Sequence, residues 1–321
     1  MPLPTLLQNR LDLPVIGAPM LLPCSPPLTI AQCTSGIVGA FPALSARPAE
    51  QLDEWLAEIS EALSAFAAKN PGKKVAPFAV NQIVHKTNPR LDRDMETVIK
   101  HKVPMVVTSL GANADVVKAV HAYGGIVFHD VAQARHAERA LEQGVDGLVL
   151  LCAGAGGHGG SLNPFAFVAE VRRFWKGPLA VAGGITTGDA VAAVRAMGAD
   201  LAYIGTRFAA SVESRIDDNY KSHILRCTAK DILFTPYFSG VHTSLMKTSI
   251  AACGFDPDDP KLLLKSDATY GIDTTKENPK RWTELLAAGQ GVGNIDAILP
   301  VAGIVATLKR EYAAALDGLR A

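Results

Sequence analysis

Short apolar runs of strand length recur along the chain, and each is followed by an amphipathic stretch of helical length. That order predicts parallel strands joined by helical crossovers. Eight runs stand out, at 13–18, 36–41, 75–81, 105–109, 126–129, 147–152, 179–182 and 201–205. Helical periodicity fills 49–69, 114–123, 132–143, 164–175 and 189–197 between them. Three of the joints repeat one design, with HAYGG before IVFHD, LEQGVDG before LVLLC and RAMGAD before LAYIG. In each, a glycine closes a helix and the next buried strand follows after a short turn.

A doubly wound sheet uses the same units but rarely needs eight in succession, so the pattern favours an α/β fold of the (β/α)8 TIM-barrel type. Helical pattern resumes at Arg215, breaks over 228–281 into turn residues and charges, and returns over 282–288 and from Ile295 onward. The expected organisation is one barrel formed by residues 1–227 and 282–321, carrying an irregular insertion or lid at 228–281. A length of 321 residues suits a single barrel with such an excursion.

Composition adds exclusions. At 48% hydrophobic and 19% charged residues the chain has a core to bury and too few charges for disorder. Lys+Arg and Asp+Glu both total 31, which gives no net field to gather nucleic acid or an anionic membrane surface and leaves a small molecule as the expected partner. Five cysteines, odd in number and without a paired CxxC, read as reduced thiols. Neither a signal-peptide pattern nor a run of about 18 apolar residues is present, so a soluble, cytoplasmic protein is expected, as monomer or homodimer.

A barrel's chemistry lies where its strands end, so the residues just after each run are the ones to read. They are GAPM (17–20), VNQ (80–82), TSLG (108–111), His129 with Asp130, AGAGGHGG (153–160), AGG (182–184) and GTRF (205–208). The motifs AGGI and IGTR follow the seventh and eighth runs, where barrels commonly bind phosphate through backbone N–H groups. Gly183, Gly184, Gly205 and Thr206 are therefore the expected phosphate cradle. Tight turns alone would also use these glycines, but two motifs at both expected places favour phosphate. His158 stands in a loop of glycines too bare to pack a core, and an imidazole with an ordinary pKa near ~6.5 can move protons at neutral pH. It is the candidate catalytic residue. Among the other histidines only His129, at the end of the fifth run, stands where a barrel mouth would be. No i, i+4 histidine pair or carboxylate cluster points to a metal. Cys152 ends an apolar run and reads as a small hydrophobe.

GAPM, FAVN, AGGHGG, AGGI and IGTRF together resemble the nitronate monooxygenase family of FMN-dependent barrel enzymes, formerly called 2-nitropropane dioxygenases. SGVHTSLMKTSIAACGFDPDD and LLAAGQGVGNI extend the resemblance over nearly the whole chain. It implies that FMN is held with Ala18, Pro19 and Met20 behind its ring system, Asn81 hydrogen-bonded to it, and Gly183, Gly184, Gly205 and Thr206 at its phosphate. Gln290 and Gly291 would close over it. Gly156 and Gly157 let the flavin come close to the His158 loop, and His129 and Asp130 join the cofactor set. The resemblance gives His158 the role of base towards neutral nitroalkanes. The chain departs from the pattern at Asp130, where some relatives carry lysine, and at His242 and Ser244, where many have proline and asparagine. The implied activity is oxidation of alkyl nitronates with O2 to a carbonyl compound and nitrite. The alternatives are an NAD(P)H-dependent reductase of quinones or enoyl thioesters on the same barrel, and a non-catalytic barrel that binds a phosphorylated ligand.

Overall fold

Eight parallel strands form the central sheet of the computed structural model, which describes residues 3–266 and 283–319. They are β1 (Val15–Gly17), β2 (Gly39–Pro42), β3 (Phe78–Ile83), β4 (Met105–Ser109), β5 (Ile126–Val131), β6 (Gly147–Leu151), β8 (Leu179–Ala182) and β9 (Leu201–Ile204), with the short β7 (Gly157–His158) outside the ring. Each ring strand coincides with one predicted run, and β4 and β8 have the predicted bounds. Neighbours pair in parallel from β2 through to β9 and on to β1. The Ile16–Val38 bridge then joins β1 to the approach of β2 and closes the ring. The fold is a (β/α)8 barrel.

Side chains alternate across each strand, so every strand feeds two cores. Ile16, Ala79, Val107, Phe128, Val149, Ala180 and Tyr203 fill the inside. Val15, Val80, Val106, Val127, Leu148, Val181 and Ala202 face the helices.

The outer layer contains α1 (Pro26–Thr34), α2 (Gln51–Lys69), α3 (Leu91–Lys100), α4 (Ala114–His121), α5 (Ala134–Glu142), α6 (Pro164–Arg172) and α7 (Gly188–Ala196). Residues at helical spacing make their inner faces; in α2, Leu52, Leu56, Ile59 and Leu63 are buried. Asn113, Asn163 and Thr187 cap α4, α6 and α7 through their side-chain oxygens. After β9 come the single-turn α8 (Thr206–Ala209) and α9 (Asp218–Arg226). The last helix, α11 (Val301–Gly318), packs against α7 and α1 and completes the ring. Its contact with α7 runs through Gly188, where a Cβ would stand 2.2 Å from the Leu308 carbonyl oxygen.

Four local expectations need correction. The stretch from Thr228 is not irregular throughout: it holds β10 (Ile232–Thr235), β11 (Thr243–Met246) and α10 (Lys247–Ala252), while 267–281 fall outside the described residues. His158 does not lie in a free glycine loop. It forms β7, which pairs antiparallel with β11, His158 opposite Thr243. The described part of 282–288 is a turn followed by bridged strand-like backbone rather than a helix, with Ala287 bridged to Leu245. A short apolar run such as LLAA cannot be assigned by periodicity, and here partners decide: Ser249 Oγ accepts from Leu286 N at 3.0 Å and Tyr220 Oη from Ala287 N at 2.9 Å. The helix expected from Ile295 begins only at Val301, since Pro300 favours extended backbone before it.

Candidate active site

The strand ends and the 287–291 segment enclose a cavity of about 460 Å³, within the ordinary range for small-molecule and cofactor sites. Two different walls face each other across it.

One wall is main chain. It joins the loop after β6 (Gly154, Gly156, Gly157), the turn after β8 (Gly183, Gly184), Gly205 with Thr206 after β9, and Gly289 with Gly291. Gly184 N donates to Gly154 O at 3.1 Å, Gln290 N donates to the same oxygen at 2.9 Å, and Gly289 N donates to Thr206 Oγ1 at 2.9 Å. Side chains do not fit between these backbones: a Cβ on Gly156 would stand 2.8 Å from Gly289 N, and one on Gly291 2.7 Å from Gly184 O. Gly183, at φ +135, occupies a conformation reserved for glycine, and its Cβ would meet Ala153 O at 2.6 Å. Gly184 also has positive φ, yet a Cβ there would find nothing within 4 Å, so open space lies beside this turn.

The opposite wall is aliphatic side chain from the end of β3 and the loops after β1, β2 and β4: Leu21, Leu22, Leu44, Ile83 and Leu110. The loops after β1 and β2 are gripped from behind. Arg215 donates from Nε to Leu22 O at 2.8 Å and from Nη2 to Ser45 O at 3.1 Å, with its guanidinium 5.3 Å from the Trp55 ring centroid. Arg90 donates to Ala46 O at 2.8 Å and is itself held by Asp94 at 3.0 Å. Leu110 is left-handed at φ +60 and 55% exposed, both costly for leucine.

Between the walls lie Ala18, Pro19 and Met20, whose turn is fixed by Ala18 N donating to Ile204 O at 2.8 Å and Met20 N to Cys24 Sγ at 3.2 Å. Beside them β3, β4 and β5 contribute Asn81, Ser109 and Asp130. Asn81 Nδ2 donates to Ser109 Oγ at 2.7 Å, and Ser109 in turn donates to Asp130. Burial pushes the Asp130 carboxyl up to about 7, against the lowering effect of the Ser109 hydrogen bond. His158 is exposed at the rim and also lines the cavity.

The strand alternation separates two predicted neighbours. Phe128 and Asp130 point into the barrel, so His129 points out. It is 4% exposed, bonded through Nδ1 to Thr108 Oγ1 at 2.8 Å, and held neutral by burial, which lowers its pKa to about 4. His129 therefore does not reach the cavity, contrary to its expected place in the cofactor set. Gln290 does not line the cavity either; its backbone braces Gly154 from behind while Gly291 forms the wall. The remaining predicted residues come together there. Ser109 lies in the predicted TSLG segment, although it is not singled out there as a site residue; sequence reading missed Tyr203, Tyr220 and most of the aliphatic wall. Ser109 and Tyr203 share the inward parity of Asn81 and Phe128, which only the folded strands reveal. Cys152 is a buried thiol, its pKa raised to about 12 by burial, off the cavity. Among the described residues no group of three or more His, Cys, Asp or Glu offers a metal site, and no helix is long and apolar enough to cross a membrane.

Comparison with known proteins gives the family and supports the fold. The family model described as nitronate monooxygenase matches residues 57–311. A nitronate monooxygenase of Paraburkholderia phytofirmans is 28% identical, over 97% of this chain and 95% of its own. Among solved structures, FabK from Thermotoga maritima is 25% identical with a TM-score of 0.77, over 98% of this chain and 96% of its own. A nitroalkane oxidase from Streptomyces ansochromogenes has the same fold, with a TM-score of 0.79 at 20% identity over 98% and 100% of the two chains.

Proposed function

The chain belongs to the nitronate monooxygenase family, and on that premise we propose that it binds FMN and oxidises alkyl nitronates with O2 to a carbonyl compound and nitrite. One observation carries this reading: a single cavity joins a glycine-built wall, an aliphatic wall and a histidine at the seam between them.

The residues fit the cofactor. Open space beside Gly184, where a Cβ would touch nothing, leaves room for a phosphate, and glycines at 183 and 205 let it approach the backbone closely. Thr206 Oγ1 accepts from Gly289 N and keeps its own proton to donate. In the proposed complex Ala18, Pro19 and Met20 back the ring system. Asn81 is oriented by its donation to Val107 O at 3.0 Å, so its carbonyl oxygen is the atom left to meet a ring N–H. Gly156, Gly157 and Gly291 border the ring, and Asp130 lies at the floor. When bound, FMN supplies the electron acceptor and the route to O2.

The protein's own part is positional and acid–base. The aliphatic wall excludes water and receives the alkyl portion of the substrate, so that its nitro group is left towards the polar seam. His158 takes the α-proton of a neutral nitroalkane, or hydrogen-bonds a nitronate already formed. Its pairing with Thr243 fixes its backbone at that rim.

The test is spectroscopic. FMN-loaded protein is mixed anaerobically with propionate 3-nitronate, NADH or NADPH while the flavin band near ~450 nm is followed. Bleaching by the nitronate and not by the nicotinamides is the expected result. Rapid bleaching by NADH or NADPH alone would replace this reading with the reductase, and a colourless protein that takes up no FMN would remove both.

A further inference from the structure

Asn81, Ser109 and Asp130 lie on three adjacent strands, each turned inward at its carboxyl end. The direction of their hydrogen bonds is determined by chemistry. Val107 O only accepts, so the Asn81 amide must present nitrogen to it, and the same nitrogen donates to Ser109 Oγ. Ser109 then has one proton, which it gives to Asp130. The chain thus runs one way and ends on the carboxyl group. The other titratable groups on this cavity are Tyr203 of β9, Tyr220 of α9 and His158 of β7; β3 and β4 add the neutral Asn81 and Ser109, and β6 adds Leu151. No lysine or arginine lines the cavity among the described residues. His129, next in sequence, faces the helices instead.

A carboxylate without a cation and a cofactor gaining negative charge cannot share such a space cheaply, because like charges in a poorly solvated site disfavour each other. We propose that Asp130 is the redox-linked proton carrier of this site, taking up one proton as bound FMN gains an electron and releasing it as that electron leaves. This rests on the reading that the cavity holds FMN. The step balances: the nitronate loses the electron, FMN receives it, and a proton from solvent forms an O–H bond on the Asp130 carboxylate. When O2 takes the electron, that O–H bond breaks and the proton departs to solvent or to the reduced oxygen. The summed charge of FMN and Asp130 is unchanged throughout.

The ordinary carboxylate range would make this role costly at neutral pH. Burial brings the group to about 7 and leaves it evenly poised between its two forms. Burial, and after it the Asp130 charge, raises the Tyr203 hydroxyl well above 10, so it does not compete as a donor.

The experiment is a spectroelectrochemical titration of the FMN-loaded protein from about pH 5.5 to about 8.5, giving protons taken up per electron. Wild type is expected to take up more protons per electron than Asp130→Asn, by as much as one towards the upper end of the range, where the carboxyl is ionised before reduction. Reduction should also produce an infrared carboxylic-acid band that the variant lacks. Ser109→Ala removes the donor that favours the carboxylate, so its extra uptake should move to higher pH. Equal uptake in wild type and Asp130→Asn would overturn the proposal. If Asp130→Asn does not fold, an unshifted Ser109→Ala curve with no carboxylic-acid band would do the same. Failure of the cofactor reading shows itself earlier and differently, as a protein that takes up no FMN, and would withdraw the proposal with it.

Discussion

The two walls of the cavity are made of different material. On the side of β6, β8 and β9, backbone packs on backbone, and a Cβ on Gly289 would stand 2.6 Å from Gly154 O. On the side of β1 to β4, side chains form the surface, and Arg215 and Arg90 hold the carbonyls of the loops after β1 and β2 from outside. On the proposed function the first wall recognises its ligand through shape that no side chain is allowed to alter. The second can exchange one apolar residue for another without moving its loop, because the loop is anchored elsewhere. On the proposed function, one half keeps a constant partner and the other leaves room for the substrate to change.

The sharpest break in that contrast is Gly183→Ala. At φ +135 and with Ala153 O at 2.6 Å, the methyl group forces the turn apart, costing roughly 3 kcal/mol or more in stability and abolishing FMN uptake. Thermal unfolding and the visible spectrum of the purified variant check both effects. At the seam, His158→Ala should retain the flavin spectrum while kcat/KM for neutral nitroalkanes falls by about 10²-fold. Preformed nitronates should lose much less, and equal losses would show that the histidine does not act on the α-proton.

On the aliphatic side the effects should be smaller. Arg215→Met removes donors to Leu22 O and Ser45 O and should cost about 2 kcal/mol, seen as a lower urea midpoint, with KM rising more than kcat falls. Leu110→Asn puts a residue tolerant of φ +60 at that position, so stability should rise by about 0.5–1 kcal/mol while preference for longer alkyl chains weakens. A chain-length series of 1-nitroalkanes reads the second effect.

Asp130 sharpens the comparison through pH. Its folded-state value of about 7 lies above the ordinary 3.8, so between those values the folded protein keeps a proton that the unfolded chain has released. Its contribution to stability is full below about pH 4 and lost as pH rises through about 7. Asp130→Asn should flatten that decline in unfolding experiments, and an unchanged slope would place the dependence elsewhere.

The barrel was legible because each buried strand is a compact apolar run, and Met105–Ser109 and Leu179–Ala182 could be bounded from sequence. The glycine wall was legible for a related reason: a main-chain surface is written directly in its residues. What could not be read was which way a strand faces. Val127 and Phe128 are both apolar because a barrel strand is buried on both sides, so nothing local told His129 from Asp130. The strand status of His158 depends on Thr243, far along the chain, and no local pattern announces a two-residue strand. Most of the aliphatic wall was missed because Leu21 and Leu44 look like ordinary apolar residues until the loops that carry them are placed.

The closure of the ring by α11 has a consequence for biogenesis. Synthesis runs from the amino end, so all eight strands leave the ribosome before the 287–291 wall and α11 exist. Until they emerge, the pocket lacks the backbone that braces Gly154 and Gly184, and the contact of Leu308 with Gly188 that seals the outer layer is missing. On the proposed function, cofactor capture belongs to the end of translation, and a nascent chain stalled before Leu285 would have its strands but not its complete pocket.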